Sequence, residues 1–308
     1  MSRREVNQAL RAFKEAGNTA GCMSVLRGLE DQDIVADVRQ YTTVMSVSSK
    51  HGDWRGALDL LKQMERKGIV ADTITYNALI LACKKAGKWE RALELMTEME
   101  RKVIVADTIT YSTLISACEK GGQWERALEL LKLMERKGIV ADTITYSALI
   151  SACEKGGKWE RALELAREME RKGIVADTIT YNALISACEK GDKWERALEL
   201  LNEMGRKGIV ADTITYSALI TACEDAGQLQ ICSCLYLKAV SSGTCDDMPD
   251  FVFRKMCVSV DLHSSCCSVS RTLLRVCLSE MQRGCRPVQD VSMITGLFLS
   301  VFVSWSRL

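Results

Sequence analysis

Seven small polar side chains recur at a spacing of 35 residues: Asn7, Thr42, Asn77, Ser112, Ser147, Asn182 and Ser217. From Asn77 onward the slot follows Thr-Ile-Thr-Tyr and precedes Ala-Leu-Ile or Thr-Leu-Ile. A slot on a solvated face would have drifted to Lys, Glu or Gln, and a buried one to Ala or Val. Restriction to Asn, Ser and Thr keeps one hydrogen-bond donor and one acceptor at the same place in every copy. The chemistry this suits is recognition of a small polar ligand once per repeat. Capping of a helix start is the other reading of the same residue types, and both remain open here.

Other groups recur in step. Lys50, Lys85, Lys120, Lys155 and Lys190 close the first half of each copy, where a cation suits a solvated helix end and its dipole. Cys83, Cys118, Cys153, Cys188 and Cys223 hold one place and read as small buried apolar residues rather than redox groups. The tryptophans Trp54, Trp89, Trp124, Trp159 and Trp194 fall on an apolar face and read as packing residues. Ile74, Ile109, Ile144, Ile179 and Ile214 stand near the start of their copies, where core packing is the plain expectation.

The elements that carry these residues follow from spacing. Copies 73–107, 108–142, 143–177 and 178–212 are nearly identical; 38–72 opens differently, and 3–37 and 213–247 have drifted while keeping length and landmarks. Tyr76, Leu79, Ile80 and Cys83 mark one face of a helix, Asp72 supplies its N-cap, and Gly87 marks its end. A second helix carries Trp89, Ala92, Leu93, Met96 and Met99 on its apolar face. It stops near a glycine, Gly68, Gly138, Gly173 or Gly208, which Val103 replaces once. Two such short helices cannot bury their apolar faces alone, so neighbours must stack. The expected fold is all-α, an α-solenoid superhelix of helix-turn-helix repeats.

Composition narrows the function classes. Lys and Arg total 41 against 40 Asp and Glu, which excludes binding driven by bulk positive charge. No run reaches the ~18 apolar residues of a membrane span, and no partnership with a membrane is expected. Both prolines, Pro249 and Pro287, lie beyond the repeats, in keeping with uninterrupted helices. Two histidines and no Cys-x-x-Cys pair leave little for zinc or thioredoxin-like chemistry, and no cofactor is implied. Disulfides stay open among the cysteines after Cys223. The N-terminus, Met1-Ser2-Arg3-Arg4, enters repeat sequence at once and shows no transit peptide.

The period, the Thr-Ile-Thr-Tyr-Asn/Ser-Ala-Leu-Ile-Ser-Ala-Cys opening, the Trp-Glu-Arg-Ala-Leu-Glu-Leu second helix and the closing Asp resemble the pentatricopeptide repeat family over residues 3–247. Ala71, Ala106, Ala141, Ala176 and Ala211 stand where that family usually has Pro, which should loosen the entry turn slightly. Tetratricopeptide arrays are the alternative. The resemblance implies a binder of single-stranded RNA that reads one base per repeat, with organellar processing, stability or translation of a transcript as its task, a chloroplast or mitochondrial location, and other RNA-processing proteins as candidate partners. It also implies that the fifth and last residues of each repeat read the base edge: Asn7 with Asp37 for U, Thr42 with Asp72 for G, Asn77 with Asp107 for U, Ser112 with Asp142 and Ser147 with Asp177 for G, Asn182 with Asp212 for U, and Ser217 with Asp247 for G. The expected site is U-G-U-G-G-U-G, with G-U-G-G-U as its core. By the same resemblance Ile74, Ile109, Ile144, Ile179 and Ile214 would sandwich the bases, whereas Arg4 and Arg39 hold that slot in the first two repeats. The five repeated lysines would contact phosphates.

Residues 248–308 break the pattern. Two strand-like stretches flank a helix-like one at 268–281, a short, truncated α/β segment. Asp261-Leu262-His263 and Thr295-Gly296 are similar to motifs of the Small MutS-Related domain, but Ser264 and Phe298 stand where glycines are usual. Asp261 and His263 are the only catalytic candidates, weak ones, and no enzymatic activity is expected. A protein-binding scaffold, or an RNA-targeted endonuclease with a complete tail domain, are the competing functions.

Overall fold

The computed structural model describes residues 3–32 and 34–242, and every helix below lies among them. Asp247 and the whole tail, with Asp261, His263 and the expected α/β segment, lie outside the described residues. Fourteen α-helices and no strand are found among the described residues: α1 Arg3–Glu15, α2 Thr19–Glu30, α3 Val38–Lys50, α4 Trp54–Arg66, α5 Thr73–Lys85, α6 Trp89–Arg101, α7 Thr108–Lys120, α8 Trp124–Arg136, α9 Thr143–Lys155, α10 Trp159–Arg171, α11 Thr178–Lys190, α12 Trp194–Arg206, α13 Thr213–Asp225 and α14 Leu229–Ser241. They succeed one another as helix pairs, the architecture of an α-solenoid. The described residues fall into two units that divide within α11, between residues 183 and 184.

In the first unit each opening helix packs on the next: α3 on α5, α5 on α7, α7 on α9. These helices are buried on more than one side, which the run Tyr-x-Ala/Thr-Leu-Ile permits. Tyr76, Leu79, Ile80 and Cys83 have no exposed surface, nor do Tyr146, Leu149, Ile150 and Cys153. Burial pushes the thiols of Cys83, Cys118 and Cys153 up to about 11, so they stay protonated and inert at neutral pH. The closing helices are amphipathic and bury one stripe: Ala92, Leu95, Met96 and Met99 in α6. Leu95, not Leu93, is the buried leucine, and Leu93 is half-buried. Trp89 and Trp124 lie against the end of the next repeat's opening helix, so that a Cβ at Gly121 or Gly156 would fall on their indole rings. Trp89 and Trp124 are therefore inter-repeat packing residues, and Trp54, Trp89, Trp124, Trp159 and Trp194 are all half-buried. In the second unit α12 and α14 pack on α13, around Leu200, Met204, Tyr216, Leu219 and Cys223.

A polar ladder runs outside this core. Tyr76 Oη donates to Glu98 Oε1 at 2.9 Å, and Lys102 Nζ donates to Glu98 at 2.7 Å and to Glu65 of the preceding repeat. The same set recurs as Tyr146, Glu168, Lys172 and Glu135. Between these two, Leu133 takes the glutamate's place, and the buried Tyr111 Oη lacks the carboxylate acceptor that Tyr76 and Tyr146 have. A second irregularity lies at the end of α6. There Val103 has φ 58°, in a place where Gly68, Gly138 and Gly173 adopt φ 68–70°, because Ile104 N–H must reach back to Met99 O at 2.9 Å. The left-handed region costs a β-carbon-bearing residue about 1–2 kcal/mol, and the Val103 side chain, 86% exposed, recovers little by burial.

Two substitutions test these features. Val103→Gly should raise stability by about 1 kcal/mol, read as a higher urea midpoint; an unchanged midpoint would mean the turn carries no strain. Leu133→Glu should give Tyr111 the missing acceptor and stabilise by about 1 kcal/mol. The gain should vanish in a Tyr111→Phe background.

Candidate functional site

The repeated polar slots come together at the junction of consecutive helix pairs. The closing Asp of one repeat is the N-cap of the next: Asp72 Oδ1 accepts the Thr75 N–H at 2.8 Å and the Thr75 hydroxyl at 2.7 Å. Asp107 does the same for Thr110 (both 2.8 Å), Asp142 for Thr145 (2.8 and 2.7 Å), Asp177 for Thr180 (2.8 and 2.7 Å) and, in the second unit, Asp212 for Thr215 (both 2.9 Å). Asp37 is bonded reciprocally with Gln40 in a capping box. Capping by Asp satisfies amides that helix geometry leaves without partners. At Asp72, Asp107, Asp142 and Asp177 all of these bonds fall on Oδ1; Oδ2 takes none of them.

In four repeats the fifth residue, Asn7, Thr42, Asn77 or Ser147, reaches the opening helix of the next. Asn77 Nδ2 donates to Asp107 Oδ1 at 3.1 Å, and Asn77 Oδ1 lies 2.7 Å from the Thr110 hydroxyl. That hydroxyl has one proton to give, to Asn77 or to Asp107. Burial alone would raise the Asp107 carboxyl, but the hydrogen bonds from Thr110 and Asn77 outweigh it and hold the group below the usual carboxylate range. It is therefore a fixed anion and acceptor at neutral pH. Thr42 donates to Val38 O at 2.7 Å and lies 3.2 Å from the Thr75 hydroxyl. Ser147 donates to Thr143 O and meets the Thr180 hydroxyl, both at 2.7 Å. Ser112 donates to Ile109 O at 3.1 Å. The Ser and Thr protons thus go to their own helix's carbonyls, and the capping role falls to the aspartates. In the first repeat Asn7 Oδ1 accepts from Gln40 Nε2 at 3.0 Å, and an open depression of about 450 Å³ is lined by Asn7, Asp37, Val38 and Arg39. Asn182 is buried and Ser217 half-buried.

Aliphatic side chains flank each notch. Ile74, Ile109, Ile144 and Ile179 in the first unit and Ile214 in the second are 62–68% exposed, so core packing does not account for them. A second exposed row, not singled out from the sequence, accompanies them: Val70, Val105, Val140, Val175 and Val210, at 77–80%. The Thr73 hydroxyl donates to Val105 O at 2.8 Å, and Thr108 and Thr143 repeat the contact with Val140 and Val175 at 3.3 and 3.2 Å. Val105, Val140 and Val175 therefore lie close to the threonines that precede Ile74, Ile109 and Ile144 in their own repeats. The signal was present in the sequence as an aliphatic residue at one fixed turn position.

The lysines at the ends of the opening helices are all exposed, but not alike. Lys155 Nζ pairs with Glu119 Oε1 at 2.5 Å, and Lys85 Nζ donates to Lys50 O at 3.0 Å. Lys120 and Lys190 hold the matching places. Among the described residues no group of three or more His, Cys, Asp or Glu is placed to hold a metal, and no helix is long and apolar enough to cross a membrane.

What the notches can do chemically is limited and specific. Each offers a fixed carboxylate and a recessed amide or hydroxyl between exposed aliphatic shelves, which suits a flat heterocycle with a polar edge and apolar faces. Nothing in the arrangement is a nucleophile or a proton relay.

Comparison with known proteins agrees with this architecture. The pentatricopeptide repeat protein PPR10 from maize matches with a TM-score of 0.64 and 24% identity over 94% of this chain and 45% of that one. The same protein in complex with an 18-nucleotide psaJ RNA element matches with a TM-score of 0.54 and 23% identity, over 92% of this chain and 44% of that one. The PPR domain of Arabidopsis thaliana protein-only RNase P 1, in complex with tRNA, matches with 0.52 and 18%, over 58% of this chain and 95% of that domain. The chain thus spans less than half the length of the maize protein, and these likenesses are of fold. No curated protein sequence matches it. The PPR repeat family model matches residues 36–85, 71–120, 106–155, 141–190 and 176–225, more than half of the chain. The chain belongs to the PPR repeat family.

Proposed function

We propose that the chain binds single-stranded RNA, one base per helix pair, through the fifth and last residues of each repeat. The observation that carries the reading is the junction itself: Asp107, held as an anion, fixed against the Asn77 amide, with capping aspartates repeated at Asp72, Asp142, Asp177 and Asp212 and exposed isoleucines from Ile74 onward. Membership of the family supports it, as does likeness to a PPR protein held in complex with RNA. Base edges supply the hydrogen-bonding partners, and base faces suit the aliphatic shelves. Taken in order, the residue pairs specify U-G-U-G-G-U-G read with the amino-terminus at the 5′ end, and the inner G-U-G-G-U is the part set by repeats with neighbours on both sides. Near-neutral charge places the weight of recognition on bases rather than phosphates. The biological setting in this reading is organellar RNA processing, stability or translation, with the repeats acting as a non-enzymatic scaffold.

Fluorescence anisotropy with labelled UGUGGUG, against a same-length strand with A for G and C for U in matched salt, tests the reading. A preference of at least tenfold is expected, and Ser112→Asn should move the preference at the fourth letter from G to U. Equal, weak binding to both strands would overturn base reading and favour a protein ligand for the exposed Ile and Val rows.

A further inference from the structure

The first junction is built differently from those that follow. Arg39 stands where later copies have Ile74, Ile109, Ile144, Ile179 and Ile214, and Gln40 stands where they have Thr75, Thr110, Thr145, Thr180 and Thr215. The longer side chain changes what the walls present. Gln40, only 5% exposed, accepts the Asp37 N–H on Oε1 at 2.9 Å and donates from Nε2 to Asn7 Oδ1 at 3.0 Å. One buried amide thus ties together two walls of the depression that Asn7, Asp37, Val38 and Arg39 line.

The result is a different set of hydrogen-bonding groups. Asn77 gives its Nδ2 hydrogen to Asp107 and its Oδ1 to Thr110. Asn7 is exposed and its carbonyl oxygen goes to Gln40, so its Nδ2 hydrogens are what it offers a ligand. Arg91, Arg126, Arg161 and Arg196 each pair with the glutamate three residues on. Arg39 is exposed and has no ion pair among the described residues, which leaves its planar fork of donors for a ligand. Asp37, the cap of α3, adds a carboxylate. The later notches set an aliphatic face where this one sets a donor fork beside an acceptor.

Of the four bases, guanine matches that set most fully. Its O6 and N7 are adjacent acceptors suited to an arginine fork, and its N1–H and N2–H are adjacent donors suited to a carboxylate. Uracil carries a single donor between two carbonyls, adenine sets a donor beside N7, and cytosine has one donor group. We propose that the first notch takes guanine, with Arg39 on O6 and N7 and Asp37 on N1–H and N2–H, in place of the uracil that Asn7 and Asp37 alone would select. The inference rests on the RNA reading above, changes its first letter and leaves the inner G-U-G-G-U as it stands.

The test is anisotropy of the full chain on GGUGGUG and UGUGGUG in matched salt. The native chain should prefer GGUGGUG by about fivefold or more. Replacing the first guanine with 7-deazaguanine removes the N7 acceptor. That change should cost the native chain about fivefold and Arg39→Ile, which installs the residue of the later copies, less than about twofold. Arg39→Lys keeps the charge without the fork and should lose most of the guanine preference. A native preference for U at the first letter, equal 7-deaza losses in the native chain and Arg39→Ile, or a full preference in Arg39→Lys would overturn the proposal. If neither strand binds better than one with A for G and C for U, the RNA reading fails by itself, and mononucleotides decide the notch. Larger chemical-shift changes of the Asn7 side-chain amide with GMP than with UMP, lost in Arg39→Ile, would keep a guanine site. Equal changes would discard it.

Discussion

One hydrogen-bonded carboxylate per repeat organises this molecule. The aspartate that ends a helix pair caps the helix that begins the next, and a cap of this kind is worth about 1 kcal/mol. Its larger effect is geometric. By fixing the start of each opening helix, it sets where the third, fourth and fifth residues of that helix point. The threonine at the third place is buried against the cap, the tyrosine at the fourth goes into the core, and the fifth faces the next junction. Core packing and the candidate recognition surface are thereby set by the same bond.

This sharing explains the uniformity of the chain. In most helical folds a surface residue can drift while the core is held. Here Asp107 stabilises α7, bonds Asn77 and stays ionised through those same contacts, so any change is felt in several places at once. The departures from uniformity are correspondingly informative. Leu133 leaves a buried phenol without an acceptor, Val103 forces a branched residue into a glycine conformation, and Lys84 stands where the next repeat has Glu119, the partner of Lys155. Each breaks one local rule inside an otherwise regular frame, and their consequences can be measured against sister repeats in the same molecule.

Much of the fold was legible in the sequence because periodicity and caps are local signals. Asp72, the spacing of Tyr76, Leu79, Ile80 and Cys83, and the glycines after the helices locate the elements directly. What spacing could not supply was the partner across the junction. Leu93 and Leu95 both suit the apolar stripe of α6, and only packing decides that Leu95 is the one enclosed. The indole of Trp89 finds its place because Gly121 in the next repeat has no side chain, a relation between residues 32 apart. The exposure of Ile74 and Val105 was hidden for the opposite reason: aliphatic residues read as core unless the surface they would bury against is known to be absent. Asn7, Asn77 and Ser147 were legible as polar slots and Asp72 as a cap, but that the fifth residue takes no part in capping became clear only from the direction of the bonds.

The most direct measurement is the base preference at the third letter of UGUGGUG for Asp107→Asn. Asparagine caps a helix nearly as well as aspartate, so the fold should persist while the carboxylate proposed to face the base becomes an amide. The account predicts that the preference for U at that letter collapses and that preferences at the other letters hold. An intact preference for U would show that Asp107 serves the fold alone, and that the junction is a cap without a reader.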